Sequence, residues 1–285
     1  MKKNPIIKKM HLLLTSLLFS VFVLTACTVN VNVNTPSAAK DEATEAPATE
    51  VTQADIEKNI VGIWMLSERD EQPVLTNEKG ILDIVSTTEA YISISSTNGK
   101  APWIDRMECE ININDNVVTI AFNPHEGVLI KHEFAITDIS DDAFSADYTY
   151  SRTTDNSGTS VSKSTVKHVR IDDDLSDDII GTWEGHCTSE GSVFDDGKEH
   201  RWKYKDDGTY VYYIKDGDDW IPSENTLNEY FVAGNLLCTR WMENGEENRE
   251  WWEITIDGDT MRWVALREDK DGNTFTAEFE MTKVK

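Results

Sequence analysis

Along most of the chain beyond residue 56, apolar and polar side chains alternate one by one. In 274–283 the alternation is uninterrupted: Phe275, Ala277, Phe279 and Met281 fall on one face, and Thr274, Thr276, Glu278, Glu280 and Thr282 on the other. A period of two predicts a half-buried β-strand. Shorter runs at 180–187, 200–205, 209–215, 228–233, 235–242, 250–256 and 260–267 complete a set of eight. They are separated by hairpin signals such as Asp206-Asp207-Gly208, Ala233-Gly234-Asn235, Glu243-Asn244-Gly245, Asp257-Gly258 and Lys270-Asp271-Gly272, residues that tolerate the positive φ of tight turns. Eight similar runs precede them, at 60–68, 80–85, 89–96, 107–113, 116–122, 128–136, 143–151 and 161–171. No segment in either set has the length and 3.6-residue period of a long helix. Eight short antiparallel strands can close into an up-and-down barrel, which removes exposed edges and leaves room for side chains or one small ligand. Strand count alone also allows a two-sheet sandwich.

The two sets are copies of each other. IVGIW at 60–64 matches IIGTW at 179–183, Trp103-Ile104 matches Trp220-Ile221, EININDNV at 110–117 matches EYFVAGNL at 229–236, and ISDDAF at 139–144 matches IDGDTM at 256–261. The landmarks keep their order and a spacing of 117 to 119 residues. The joint falls near residues 172–178, five of which are aspartate, so the expected units are 56–173 and 174–285.

Ahead of the strands the pattern changes. Lys2, Lys3, Lys8 and Lys9 precede a thirteen-residue stretch, Leu12 to Leu24, that carries no charge. A basic start followed by a short apolar run is the pattern of a signal peptide, and a spanning helix needs about twenty residues. The stretch ends in Leu24-Thr25-Ala26-Cys27, which resembles the lipobox of bacterial lipoproteins. That resemblance implies cleavage between Ala26 and Cys27, so that residues 1–26 are lost, and lipidation of Cys27 with acyl chains, palmitate among them. Two or more chains give stable anchoring where one does not. Residues 27–55, rich in Thr, Val, Ala, Pro and Glu, have too little apolar surface to order themselves and read as a disordered tether. Its style resembles the tethers of lipoproteins from Gram-positive gut bacteria. Without residues 1–26 the chain holds 23 basic and 52 acidic residues, a net charge of about −29. Such a charge argues against nucleic acid and against electrostatic attachment to anionic lipid. The lipid is then the means of attachment, at the extracytoplasmic face of the cell membrane.

Each unit begins with Gly-x-Trp on its first strand, Gly62-Ile63-Trp64 and Gly181-Thr182-Trp183. With the hairpins at Asp207-Gly208-Thr209-Tyr210 and 254–261, this resembles the lipocalins and the shorter bacterial lipocalin-like domains over about residues 56–285. The resemblance implies that the glycine eases a bend, that Trp64 and Trp183 close the bottom of each barrel, and that a basic residue of the last strand covers each tryptophan. Lys167 or Arg170, and Lys283, are placed to do so. The expected fold is therefore all-β: two tandem small antiparallel eight-stranded up-and-down β-barrels, lipocalin-like, preceded by a signal peptide and a disordered tether. Fold alone does not carry ligand binding with it.

Seven of the nine tryptophans lie in the second unit. Strand parity puts Trp252 and Trp263 on the face of Ile254 and Met261, and turns Trp251 the other way. With Phe279, these side chains could wall a cavity for an apolar or aromatic ligand or a sugar ring; equally, they could fill a small barrel. The expected function is thus a tethered binding module, with Trp252, Trp263, Met261 and Phe279 as candidate ligand residues. The alternative is an envelope lipoprotein with filled barrels that meets another protein. Cys187 and Cys238 could pair and leave Cys109 free, or all three could be small apolar filling. The acidic turns lack the ligand spacing of a calcium loop, and His186, Cys187 and Cys238 lack the paired spacing of a zinc site. No catalytic signature is present, so neither an enzyme, a metal nor a cofactor is expected.

Overall fold

The computed structural model describes residues 51–94, 101–172, 174–189 and 194–285, and these belong to one compact unit. The leader, Ala26, Cys27 and nearly all of the tether lie outside the described residues. The tether ends earlier than its composition suggests. Thr52 caps a short helix, α1 (Gln53–Asn59), in a reciprocal capping box with Asp55, which satisfies backbone donors that would otherwise lack partners. Ile56 on this helix and Ile60 just after it are fully buried, so α1 acts as a plug.

The first sheet runs β1 (Gly62–Arg69), β2 (Gln72–Pro73), β3 (Ile81–Ser86), β4 (Glu89–Ile94), β5 (Trp103–Asn114), β6 (Val117–His125), β7 (Val128–Ile139), β8 (Ala143–Thr154) and β9 (Gly158–Arg170). Apart from the two-residue β2, which adds to the end of β1, each strand pairs antiparallel with the next. β1 also pairs with β9, from Trp64↔Arg170 to Arg69↔Val166. Eight strands thereby form a closed barrel, with the inward stripe around Trp64, Ile84, Ile120, Ile136 and Phe144 as its core.

The second sheet contains β10 (Gly181–Cys187), β11 (His200–Tyr204), β12 (Tyr210–Asp216), β13 (Asp219–Pro222), β14 (Thr226–Ala233), β15 (Leu236–Glu243), β16 (Glu246–Asp257), β17 (Thr260–Glu268) and β18 (Thr274–Lys283). It is antiparallel, in the order β13-β12-β11-β10-β18-β17-β16-β15-β14. All eight expected strands are present, but the sheet curls without closing its ladder. Where β4 and β5 pair along the first barrel, from Ala90↔Cys109 to Ile94↔Trp103, their counterparts β12 and β14 are joined, among the described residues, by the isolated bridge Thr209↔Glu229 just ahead of β12. The cause is local. The strand matching β5 is cut in two: β13, with Trp220 opposite Lys215, stays on β12, and β14 restarts after residues 223–225. Pro222 ends β13 and has no N–H to continue a ladder. Leu227 then takes φ 55° within a register shift, a conformation that costs a branched side chain free energy.

The two sheets also share a core. Met65, Ile81, Ala101 and Trp103 from the first pack with Leu236, Cys238 and Trp251 from the outer face of the second. A 3₁₀ turn between β2 and β3 (Thr76–Glu78) reaches further. β16 and β17 pair only as far as Glu253↔Val264, which leaves amides beyond that point without a strand partner. Thr76 Oγ1 accepts from the Leu266 amide at 2.9 Å, and Asn77 Oδ1 accepts from the Trp251 amide at 3.2 Å. The turn thus fills a fork in the second sheet. Lys79, buried at the same junction, donates to Glu253 at 2.7 Å.

Candidate functional site

The break between β13 and β14 borders a cavity of about 370 Å³ inside the second sheet, with Ser223 and Asn225 of the break on its wall. Period-two geometry supplies the other walls. Tyr210, Tyr212 and Ile214 come from β12, Thr239, Trp241 and Glu243 from β15, Glu250 and Trp252 from β16, and His200 and Trp202 from β11. Each set steps by two and so shares one face. Trp263, Phe279, Phe194 and Asp196 complete the lining.

The rings brace one another. Trp263 lies 4.7 Å from Trp202, 5.5 Å from Trp252 and 5.8 Å from Phe279 between ring centres, spacings at which offset and edge contacts are favourable. Burial lowers the pKa of His200, against the pull of Asp196, so the ring is neutral near pH 7. It then donates from Nε2 to Asp196 at 3.1 Å and accepts at Nδ1 from the Tyr212 hydroxyl at 2.8 Å. Trp252 Nε1 donates to Glu250 at 3.2 Å. The indole N–H of Trp263 is buried and has no hydrogen-bond partner among the described residues, a donor that costs free energy unless something accepts from it.

Of the four candidates, Trp252, Trp263 and Phe279 line this cavity. Met261 does not; it is fully buried in the packed core of the sheet. Sequence reasoning missed His200, Trp202, Tyr212, Trp241 and Glu250. The signal for Glu250 was present, since it stands two residues from Trp252 on the same strand.

No family model and no curated protein matches the chain. It is similar to a solved structure described as a protein of unknown function from the DUF3598 family of Nostoc punctiforme, at 10% identity over 81% of this chain and 98% of that one, with a TM-score of 0.23. At that score the likeness carries no argument.

The Gly-x-Trp tryptophans are equivalent to within 0.1 Å in their polar contact. Trp64 Nε1 donates to the Ile60 carbonyl at 2.7 Å, and Trp183 Nε1 donates to Ile179 at 2.7 Å. Arg170 lies 4.1 Å over the Trp64 ring, and Lys283 Nζ 4.9 Å over Trp183. Lys167 is instead paired with Glu68 at 3.1 Å. The glycines make room for these cations: a Cβ on Gly62 would stand 1.8 Å from the Arg170 guanidinium, and one on Gly181 2.8 Å from Lys283.

The first barrel has a smaller cavity of about 160 Å³, whose walls include Leu66, His132, Phe134, Tyr148 and His168. Cys187 and Cys238 do not pair, which corrects one of the two readings of these cysteines. All three cysteines among the described residues are free and buried; Cys187 faces the interior of the second sheet, and Cys238 faces the core shared with the first. A sheet separates the two sulfurs. Asp207 and Asp269 each accept backbone and side-chain hydrogen bonds within their own hairpins, from Thr209 and from Asn273.

Proposed function

We propose that the chain is a lipid-anchored extracytoplasmic lipoprotein whose second, tryptophan-rich sheet binds a small apolar or aromatic ligand. The observation that carries the binding reading is the 370 Å³ cavity with its wall of mutually braced aromatic rings. Pockets for small ligands start at about 300 Å³ and combine apolar walls with a few polar groups. The size argues against the rival reading of a filled second barrel that serves only as a protein-interaction surface. The orphaned Trp263 N–H adds a polar contact that an acceptor atom on a ligand would satisfy. Anchoring rests on the signal-peptide pattern and on Cys27. Among the described residues no helix is long and apolar enough to cross a membrane.

Titration with apolar and aromatic compounds, followed by tryptophan fluorescence, tests the binding reading. A saturable response that weakens at least about tenfold in Trp263→Ala, the loss of roughly 1.4 kcal/mol of contact, supports it; a panel with no saturable member overturns it. Cell fractionation tests the anchor separately. Cys27→Ser should move the protein from the membrane to the soluble fraction, and retention on the membrane would sink that part.

A further inference from the structure

The cavity of the second sheet joins aromatic faces to an excess of negative charge. Its charged wall residues Asp196, Glu243 and Glu250 are all acidic, and among the described residues no lysine or arginine lines it. His200 adds no charge while neutral. Arg267 stands behind Trp252, 4.7 Å from the ring, and is held by the Trp251 carbonyl at 2.9 Å and by Asn77. It lies near enough to interact with Glu250, which leaves Asp196 and Glu243 without an arginine or lysine on the cavity wall.

We propose that the cavity selects an organic cation, an ammonium group carried on an apolar or aromatic body. The inference rests on the reading of this cavity as a ligand site and adds the charge of the ligand. The faces of Trp202, Trp241 and Trp263 attract a cation through their quadrupoles while the aromatic wall buries its apolar part. The carboxylates supply counter-charge within the same cavity. Arg267 offsets Glu250 from behind the Trp252 and Phe194 rings, so a ligand carboxylate or phosphate would meet the charges of Asp196 and Glu243, and the site disfavours anionic lipids and fatty acids. The field of the whole chain, −25 by formal charge, works in the same sense by raising the local concentration of cations.

Three probes of one shape separate charge from apolar fit: phenethylamine, 2-phenylethanol and phenylacetate, each titrated into the full chain with tryptophan fluorescence as readout. The amine should bind saturably and about tenfold more tightly than the alcohol, a difference in line with one cation–π contact plus partial charge pairing, and phenylacetate should bind most weakly. Raising salt to about 0.5 M should narrow the gap, because exposed charges are then screened within a few ångströms. Glu243→Gln, at an exposed position, should weaken the amine about threefold and leave the alcohol unchanged. Equal affinity for amine and alcohol, or preference for phenylacetate, overturns the charge selection while the cavity stands as a ligand site. Failure of all three probes to bind overturns both readings.

Discussion

Arg170 shows how much one side chain can organise. Its guanidinium covers Trp64, and it donates to the carbonyls of Asn59 and Val61 at 2.7 Å and to that of Asp141. The first two carbonyls lie at the end of α1 and just beyond it, so Arg170 ties the last strand of the barrel to the plug that closes it. Gly62 permits this arrangement, since any Cβ there would occupy the guanidinium position. Arg170→Ala should lower stability by about 2 kcal/mol, the order expected when charge-assisted hydrogen bonds and a cation–π contact are lost together. Arg170→Lys should cost less than half as much, because Lys283 fills the same role over Trp183 in the second unit with a single bond to the Asp178 carbonyl at 3.2 Å. Urea unfolding of the two variants checks this, and an equal loss in both would refute the comparison.

At the scale of strands, the first barrel encloses two histidines that the second lacks in equivalent form. His132 Nδ1 on β7 shares a hydrogen bond of 2.7 Å with the Tyr148 hydroxyl, and His168 on β9 stacks on Phe144 with ring centres 4.6 Å apart. Burial pushes the pKa of His132 down to about 4; burial, and then the nearby His132 and Arg69, push that of His168 down to about 3. Both values lie below the ordinary value of about 6.5. The unfolded chain therefore binds protons that the folded barrel refuses. Their contribution to stability is complete above about pH 6.5 and is lost as pH falls toward 4 and then 3, by about 2 kcal/mol per histidine at pH 5. The urea midpoint should drop between pH 7 and 5, and the drop should shrink in His132→Gln. An unchanged pH slope in that variant would show that carboxylates, not the barrel histidines, set the acid limit.

At the scale of the whole molecule, the two sheets are held together by a shared core and by hydrogen bonds. Trp103, stacked edge-on against Phe231 at 4.9 Å and lying 4.6 Å from Arg240, is the anchor of the shared core. Its repeat partner Trp220 sits on β13 under Arg201 instead. With the Thr76–Glu78 turn bonded into the fork of β16 and β17, neither sheet keeps its hydrogen-bond complement without the other. Unfolding should therefore follow one transition, with tryptophan fluorescence, which reports mainly on the second sheet, and far-UV circular dichroism coinciding. Thr76→Val keeps the shape but removes the acceptor for the half-buried Leu266 amide, and should shift that single transition by about 1–2 kcal/mol. Two separated transitions in the parent protein would contradict the coupling.

The period-two pattern was enough to place sixteen strands, because side-chain alternation is a local consequence of strand geometry. It also separated Trp252 from Trp251, one facing the cavity and the other the shared core. Three matters depended on tertiary structure. Lys167 and Arg170 were equal candidates to cover Trp64 until the pairing of β1 with β9 set Arg170 opposite it. Pro222 ends its strand, but whether that strand could rejoin depended on where β14 lay, and the cavity borders the break where β14 leaves the edge of β12 after one bridge. The helical plug and the 3₁₀ wedge were invisible for a related reason. Seven and three residues are too short to show a period, and they hold their shape through contacts with residues up to 190 positions away. Alternation along the chain thus determined which side of each sheet a residue faces; long-range pairing alone decided what that side encloses.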